Sequence, residues 1–143
     1  MSVSAGSLKV GDSKELQLVD DLSRTQIVMY AGASGDYNPI HTDEVFATQV
    51  AGYPTVFAHG MLTMGLTGRL VTDFVGDGTL TEYGVRFVRQ VWPGDTLTST
   101  AEVTAVRPGE GPDGADLVDL TVTTVNQRGE PVVTGTATAR LTS

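Results

Sequence analysis

The chain has 143 residues, and nine Lys and Arg stand against seventeen Asp and Glu, which gives a formal net charge of −8. This acidic balance, without any basic cluster, argues against nucleic acid and against an anionic membrane surface as the main partner. The sequence holds no cysteine, no signal-peptide core and no membrane-length apolar run, which excludes thiolate chemistry and leads us to expect one cytoplasmic domain over residues 1–143.

The N-terminal third predicts one strand and two short helices. Residues 14–19 (KELQLV) alternate weakly between polar and apolar side chains, as a strand does. Ser23 and Gln26 have the spacing of a capping box, so a helix should begin there and end near Gly32. Residues 42–50 predict a second short helix with acidic residues in its first turn.

Residues 59–76 predict a long buried helix. Wound as a helix, this segment is apolar almost all round, and its only charged residues are Arg69 and Asp73. Each glycine in a helix interior costs about 1 kcal/mol relative to alanine. The segment nevertheless contains Gly60, Gly65 and Gly68. We therefore expect a sheet or a ligand to pack closely against the helix backbone.

The second half of the chain changes to period-2 alternation and predicts a series of long strands. Segments rich in Val, Thr and Leu are separated by turn signals such as the Pro-Gly pair at 93–94. The predicted strands cover residues 80–92, 95–107, 116–126 and 131–141. Because short connections favour antiparallel neighbours, we expect a meander whose single sheet wraps the apolar helix, which is an α+β fold.

The sequence GDYNPIH places Asp36 and His41 five residues apart across a bend that Pro39 stiffens. One interpretation is a plain surface turn, because Asn-Pro is a common turn dipeptide. The other is a rigid pair for proton transfer, with Asn38 hydrogen-bonding across the loop to hold its shape. Imidazole titrates near neutral pH and a carboxylate is tuned by burial, so this pair has suitable chemistry.

The second histidine, His59, precedes Gly60 in the stretch AHGMLTMG. A histidine at the start of an apolar helix is commonly a structural residue. A second interpretation concerns Gly60, since the first N–H groups of a helix are unpaired and carry partial positive charge. Glycine there allows a ligand carbonyl to approach the N–H, as in an oxyanion hole.

A metal site is a competing interpretation of the same region. Its ligands would be Asp36, His41, Asp43 and His59. No HxxxH or HExxH spacing on a helix supports this interpretation, so we predict neither a metal nor another cofactor.

Three stretches together resemble the MaoC-like, or type 2, (3R)-specific enoyl-thioester hydratases and dehydratases. They are YAGASGDYNPIHTD, AHGMLTMG and VRFVRQVWPGDTL, and the similarity covers roughly residues 8–141. The resemblance implies a hot-dog fold, a curled antiparallel sheet wrapped around one long helix at about 59–76. The chain differs from the pattern at Gly68, where some members of the family have a serine near the catalytic water.

The resemblance also implies the chemistry of the site. Asp36 and His41 become the catalytic pair, Asn38 supports their loop, and the backbone N–H of Gly60 becomes the oxyanion donor. The implied reaction is water exchange between trans-2-enoyl and (3R)-3-hydroxyacyl thioesters of CoA or acyl carrier protein. Which residue of the pair acts on carbon and which on oxygen is left open.

Further residues are candidates for substrate binding along the central helix. These are Phe57, His59, Met61, Met64 and Arg86. Core packing explains the methionines equally well, and a solvated strand face explains the arginine. We expect a homodimer, or a heterodimer with another hot-dog subunit, and no nucleic acid or membrane partner. The alternatives are a hot-dog acyl-thioesterase and a subunit that acts only with a partner.

Overall fold

The computed structural model describes residues 7–142. The elements in chain order are β1 (Ser13–Val19), α1 (Arg24–Ser34), a 3₁₀ turn (Pro39–His41), a π turn (Phe46–Val50), α2 (Gly60–Val75), β2 (Leu80–Phe87), β3 (Leu97–Arg107), a second 3₁₀ turn (Pro112–Gly114), β4 (Asp116–Val125) and β5 (Pro131–Leu141). Residues 1–6 and 143, the ends of the predicted domain, lie outside the described part. Within residues 7–142, none of the helices has the length and apolar character needed to cross a membrane.

The five strands form one antiparallel sheet in the order β1-β3-β4-β5-β2. The α+β fold with a central helix is as predicted, but the meander is confirmed only for β3, β4 and β5. The prediction that segments 80–92 and 95–107 pair with each other is wrong, because β2 pairs with β5 instead. β1 and β2 are consequently the two edges of the sheet.

The predicted strand 80–92 is too long because the chain leaves the sheet after Phe87. The N–H groups of Val88 and Arg89 both donate to the carbonyl of Val132, at 2.8 and 3.4 Å, and the regular pairing of β2 with β5 ends there. The carbonyl of Val91 accepts from the N–H of Ala58 at 2.8 Å, and the Val91 side chain is buried. This detour brings residues 88–92 against the loop that precedes α2.

Helix α2 forms the centre of the core, as its all-round apolar sequence predicts. It contacts all five strands. Its buried side chains include Leu62, Leu70, Val71 and Val75, which belong to one cluster with apolar residues of β3, β4 and β5. Full burial of each such side chain contributes about 1.5–3 kcal/mol to folding. The helix therefore holds the two ends of the sheet together.

A chain of buried hydroxyl groups fixes α2 against the middle of the sheet. Thr67, Thr124 and Ser99 are all fully buried. The Oγ1 atoms of Thr67 and Thr124 lie 2.6 Å apart, and the Thr124 hydroxyl donates to Ser99 Oγ at 3.0 Å. Ser99 donates in turn to the carbonyl of Thr123 at 3.3 Å. Because buried polar groups must be paired, these bonds fix the register of the helix on β3 and β4.

The expectation that something packs against the glycines of α2 is confirmed at two of the three. A Cβ at Gly60 would lie 3.1 Å from ring carbons of Phe87, and a Cβ at Gly68 would lie 3.3 Å from the ring of Tyr83. Gly65 faces open space, with no atom within 4 Å of a Cβ built there. The close neighbours are thus side chains of β2.

The two short helices differ from their predictions in extent. The Ser23 side chain caps α1 by accepting from Gln26 N, as predicted, but the helix runs past Gly32 and ends at Gly35, whose φ of 76° is left-handed. The segment 42–50 is mostly a π turn, Phe46–Val50. Residues 35–41 (GDYNPIH), here called the motif loop, directly follow the end of α1.

Candidate active site

The loop from Ser34 to His41 is held by short side-chain bonds to its own backbone. Ser34 Oγ accepts from Asp36 N at 3.1 Å, and Asp36 Oδ1 accepts from Asn38 N at 3.2 Å. Asn38 Oδ1 accepts from Ile40 N at 3.1 Å and caps the 3₁₀ turn that carries His41. Asn38 therefore holds the loop through a local bond two residues along the chain, and its supporting role in catalysis stays a prediction.

The side chain of His41 is oriented by Phe57, which lies in the loop before α2. Its Nδ1 lies 2.6 Å from the carbonyl oxygen of Phe57, and the two rings meet edge to face with centroids 5.1 Å apart. A carbonyl only accepts, so Nδ1 carries the proton and the neutral ring keeps its lone pair on Nε2. The Nε2 atom is thus the one available for proton transfer.

His59 connects the motif loop to the start of α2. Its Nε2–H donates to the backbone carbonyl of Asp36 at 3.0 Å. Its ring stacks on that of His41 with centroids 3.8 Å apart and an angle of 24°, and Tyr30 packs edge-on at 4.9 Å. The side chain is only 2% exposed. The two histidines of the sequence are therefore in direct contact.

The surroundings of His41 lower its pKa below the usual value. Burial is the main cause, because it withdraws water from the charged ring, while the bond to the Phe57 carbonyl acts in the opposite direction. His59 lowers the pKa further, and the carboxylate of Asp36 raises it. The net effect favours the neutral imidazole, which is the form that accepts a proton.

The first turn of α2 offers a backbone donor next to this pair. The N–H groups of Leu62 and Thr63 both donate to the carbonyl of His59. The N–H of Gly60 belongs to the first turn, where a helix has no internal acceptor to offer. It lies at the positive end of the helix dipole, so it is suited to an oxygen that gains negative charge.

A cavity of about 290 Å³ opens beside this N–H. Its walls come from the loop before α2, the first turn of α2, the segment after β2 and the start of β5. They include Phe57, Gly60, Thr63, Phe87, Gln90 and Val132. Phe57 thus lines the cavity and also holds His41 through its backbone carbonyl.

The predicted substrate contacts are only partly found in this cavity. Phe57 and Gly60 line it, whereas His59, Met61, Met64 and Arg86 lie elsewhere. Met61 is 55% exposed on the outer side of α2, and the carbonyl of Met64 accepts from Tyr83 at 2.7 Å. Arg86 is exposed on β2. Met61, Met64 and Arg86 therefore lie outside the walls of the cavity.

Several cavity residues were absent from the sequence prediction. Thr63 lies three residues after Gly60, so helical spacing alone could have placed both on one face. Phe87 and Gln90 line the cavity because the chain leaves the sheet after β2. The alternating sequence pattern continues past Phe87, so it did not indicate that the chain leaves the sheet there.

The described residues contain one group of side chains that could bring three metal-ligand atoms together. Asp36, His41 and His59 have such atoms within 4.8 Å of one another, whereas Asp43 of the predicted set is not among them. The stacked, nearly parallel rings direct their nitrogen lone pairs within separate planes. Ligand atoms must converge on an ion at about 2.0–2.2 Å. The arrangement therefore suits a stacked pair better than a metal centre.

The architecture defines the class of the protein as a hot-dog fold. A Mycobacterium tuberculosis protein with a double hot-dog fold superposes with a TM-score of 0.82 over 99% of this chain and 44% of its own, and at 23% identity it shows the fold alone. The chain belongs to the MaoC-like domain family, which matches residues 7–126. The resemblance drawn from the three sequence stretches is thereby confirmed.

Curated relatives of the chain have names that describe an activity. An (R)-specific enoyl-CoA hydratase of Aeromonas caviae is 32% identical, over 97% of this chain and 99% of its own length. The solved A. caviae (R)-hydratase involved in PHA biosynthesis has a TM-score of 0.81 and 31% identity, over 94% of this chain and 98% of its own. The 3-hydroxyacyl-thioester dehydratase Y of M. tuberculosis is 35% identical over 68% of this chain, which spans 37% of that relative's length.

Proposed function

We propose that the chain catalyses the reversible, (3R)-specific addition of water to trans-2-enoyl thioesters. The observation that carries this proposal is that the side chains of Asp36 and His41 lie close together beside His59, whose chain neighbour Gly60 lines the cavity. The names of the A. caviae and M. tuberculosis relatives, a hydratase and a thioester dehydratase, support the same reaction. A base, a water-holding carboxylate and an oxyanion donor are the three groups that this chemistry needs.

The thioester carbonyl would accept a hydrogen bond from the N–H of Gly60. As water adds to C3, negative charge develops on this oxygen to give an enolate. The helix N-terminus stabilises that charge more than the neutral carbonyl, so the contact lowers the barrier. Removing one such donor in other enzymes costs about 10²–10³-fold in rate.

His41 and Asp36 would divide the work on the water molecule. The carboxylate of Asp36 accepts a hydrogen bond from the water and points its oxygen at C3. His41 Nε2 takes the other water proton as the C–O bond forms, and then returns that proton to C2 of the enolate. One proton is thus removed and returned, both new bonds form on one face, and dehydration is the reverse path.

The carrier of the acyl group is coenzyme A or an acyl carrier protein, which present the same pantetheine arm. The cavity beside Gly60 has both polar and apolar walls, among them Gln90, Arg89, Val91 and Phe87. Arg89 also forms an ion pair with Glu130 at 3.4 Å. A mixed lining of this kind suits an arm that alternates amide groups with short hydrocarbon segments.

We further propose that the chain works as a dimer, either with itself or with another hot-dog subunit. Within residues 7–142, the outer edge of β2 has no strand beside it. Phe87 and Val88 at its end are each 50% exposed. An unpaired edge with exposed apolar side chains favours pairing with another chain.

Hydration of crotonyl-CoA by the purified chain tests the proposed reaction. We expect loss of the conjugated thioester and formation of (3R)-3-hydroxybutyryl-CoA, identified by chiral chromatography. Release of free CoA without hydration would indicate the thioesterase alternative, and the (3S) product would contradict the proposal. If the chain is inactive alone, addition of a second hot-dog subunit should restore the reaction, and failure to do so would also contradict it.

A further inference from the structure

We propose, on the basis of the proposed function, that His59 is a positioning residue that fixes His41, Asp36 and the Gly60 N–H relative to one another. His59 is not among the residues that line the cavity. His59 contacts the backbone of Asp36 through Nε2, the ring of His41 through its ring face, and Gly60 through the peptide bond. The two ring contacts are independent observations, and the third follows from the peptide bond between His59 and Gly60.

The first contact holds the Asp36 end of the motif loop. The Nε2–H of His59 donates to the carbonyl of Asp36 at 3.0 Å, across 23 positions of sequence. The Asp36 side chain is exposed, and the described bond to its carboxylate comes from Asn38 N of the same loop. The bond from His59 therefore anchors this loop segment to the start of the buried helix.

The second contact holds the ring of His41. The two imidazoles stack at 3.8 Å, while Phe57 meets His41 edge-on and accepts its Nδ1–H. Together these contacts leave His41 one ring orientation, with Nε2 as its available nitrogen. Asp36 and His59 are also the titratable groups that act on the charge of His41, in opposite directions.

The third contact is covalent, because the N–H of Gly60 belongs to the peptide that joins His59 to Gly60. His59 has φ of −59° and ψ of 136°, and its carbonyl accepts from Leu62 and Thr63. Fixing the His59 ring and carbonyl thus fixes the plane of the proposed oxyanion donor. A single residue links the proton carrier, the water-holding loop and the donor.

The other ring nitrogen shows what the imidazole contributes. His59 Nδ1 is buried without a hydrogen-bond partner in the described part of the chain. A buried nitrogen left unpaired is unfavourable, so an apolar ring would serve better if His59 only filled space. We infer that the Nε2–H bond to Asp36 is the reason for an imidazole at this position.

The variants His59→Phe and His59→Gln separate positioning from packing. Phenylalanine keeps a ring against His41 but loses the donor, so we expect a stable protein whose kcat falls about 10²-fold, the scale of a misplacement of about 1 Å. KM should change less than about threefold, because the cavity walls are untouched. Glutamine can still donate to the Asp36 carbonyl and should recover about tenfold in kcat over the phenylalanine variant.

A matched control is Val75→Ala, which removes buried volume at the far end of α2 and leaves the site in place. It should lower the melting temperature more than His59→Phe does, with kcat within about twofold of wild type. If His59→Phe keeps a kcat within threefold of wild type, His59 only packs and the proposal is wrong. The same holds if its rate loss is matched by Val75→Ala at equal loss of stability.

The acidic limb of the pH profile gives a second readout. His59 lowers the pKa of His41, so its replacement by phenylalanine should raise that pKa. A higher pKa means that His41 becomes neutral only at higher pH. The acidic limb of kcat/KM should therefore move to higher pH in His59→Phe.

Nitrogen-15 NMR of the imidazoles tests the geometry without any turnover. The sequence has only two histidines, so their signals are directly assignable with His59→Phe. We expect the wild-type protein to carry its protons on Nδ1 of His41 and on Nε2 of His59. A proton on Nδ1 of His59 would contradict the bond to Asp36. If crotonyl-CoA is hydrated neither by the chain alone nor with a second hot-dog subunit, the proposed function fails, while these tautomers still test the bond from His59 to Asp36.

Discussion

Gly60 is the position where one added carbon should most affect the site. A Cβ there would lie 3.1 Å from three ring carbons of Phe87, which stands over the first turn of α2. Contacts this short require the ring to shift by a few tenths of an ångström. The shifted ring and the new methyl group would both enter the space that the thioester carbonyl needs in order to reach the Gly60 N–H.

We therefore expect Gly60→Ala to lower kcat/KM on crotonyl-CoA by about 10²-fold, comparable to the loss of one oxyanion donor. Gly65→Ala is the matched control, since it lies in the same helix and its Cβ would meet open space. It should leave turnover unchanged and stabilise the protein by about 1 kcal/mol through helix propensity. Equal activity in the two variants, measured alongside thermal unfolding, would remove Gly60 from the mechanism.

Residue types and spacing indicated Asp36 and His41, whose side chains lie close together in the structure, but not all of the contacts that hold them. Asp36, Asn38 and His41 stood out because a proline-stiffened loop concentrates them. The acceptor for His41 is the backbone carbonyl of Phe57, and any residue at that position offers the same carbonyl. The stacking of His59 on His41 likewise depends on how α2 meets the loop, which local sequence does not encode.

At the scale of elements, β2 differs from its prediction in both length and partner. Its alternating pattern continues to residue 92, but pattern alone does not record where the backbone hydrogen bonds go. The bond from Ala58 N to the Val91 carbonyl takes the chain out of the sheet. This exit creates the cavity wall and leaves β2 at the edge of the sheet, beside β5.

The edge position of β2 predicts the site of dimer formation. We expect the purified chain to have a solution mass of about 30 kDa, twice the 15.0 kDa of one chain. Gly84→Asp places a charge in the middle of β2, where a Cβ meets no atom within 4 Å, so the single chain should fold normally. Across a two-fold contact the new charges would face each other and oppose pairing.

The matched control lies on the opposite edge of the sheet. Gln17→Asp adds the same charge at an exposed position of β1 and should leave the mass unchanged. Light scattering after gel filtration distinguishes the two variants. A Gly84→Asp protein that stays dimeric to the same extent as Gln17→Asp would place the interface elsewhere, and a monomeric wild type would contradict self-pairing.

On the scale of the whole molecule, the residues that stabilise the fold lie apart from the residues that we propose act on the substrate. The central helix packs over the sheet through apolar side chains and the buried hydroxyl chain of Thr67, Thr124 and Ser99. Of the residues of α2, Gly60 and Thr63 in its first turn line the cavity. The sequence of residues 59–76 predicted the buried helix well, because a helix that is apolar on all sides has to be buried. Sheet order was not predictable from turn lengths, since the pairing of β2 with β5 is a long-range contact.

The central claim is that the loop GDYNPIH carries the chemistry, and the turnover of two loop variants tests it most directly. In Asp36→Asn and in His41→Ala, kcat for crotonyl-CoA hydration should fall by at least about 10²-fold, because the first variant loses the carboxylate that holds the water and the second loses the base. Circular dichroism and thermal unfolding should confirm that both variants stay folded. Near-wild-type turnover in either folded variant would contradict the account.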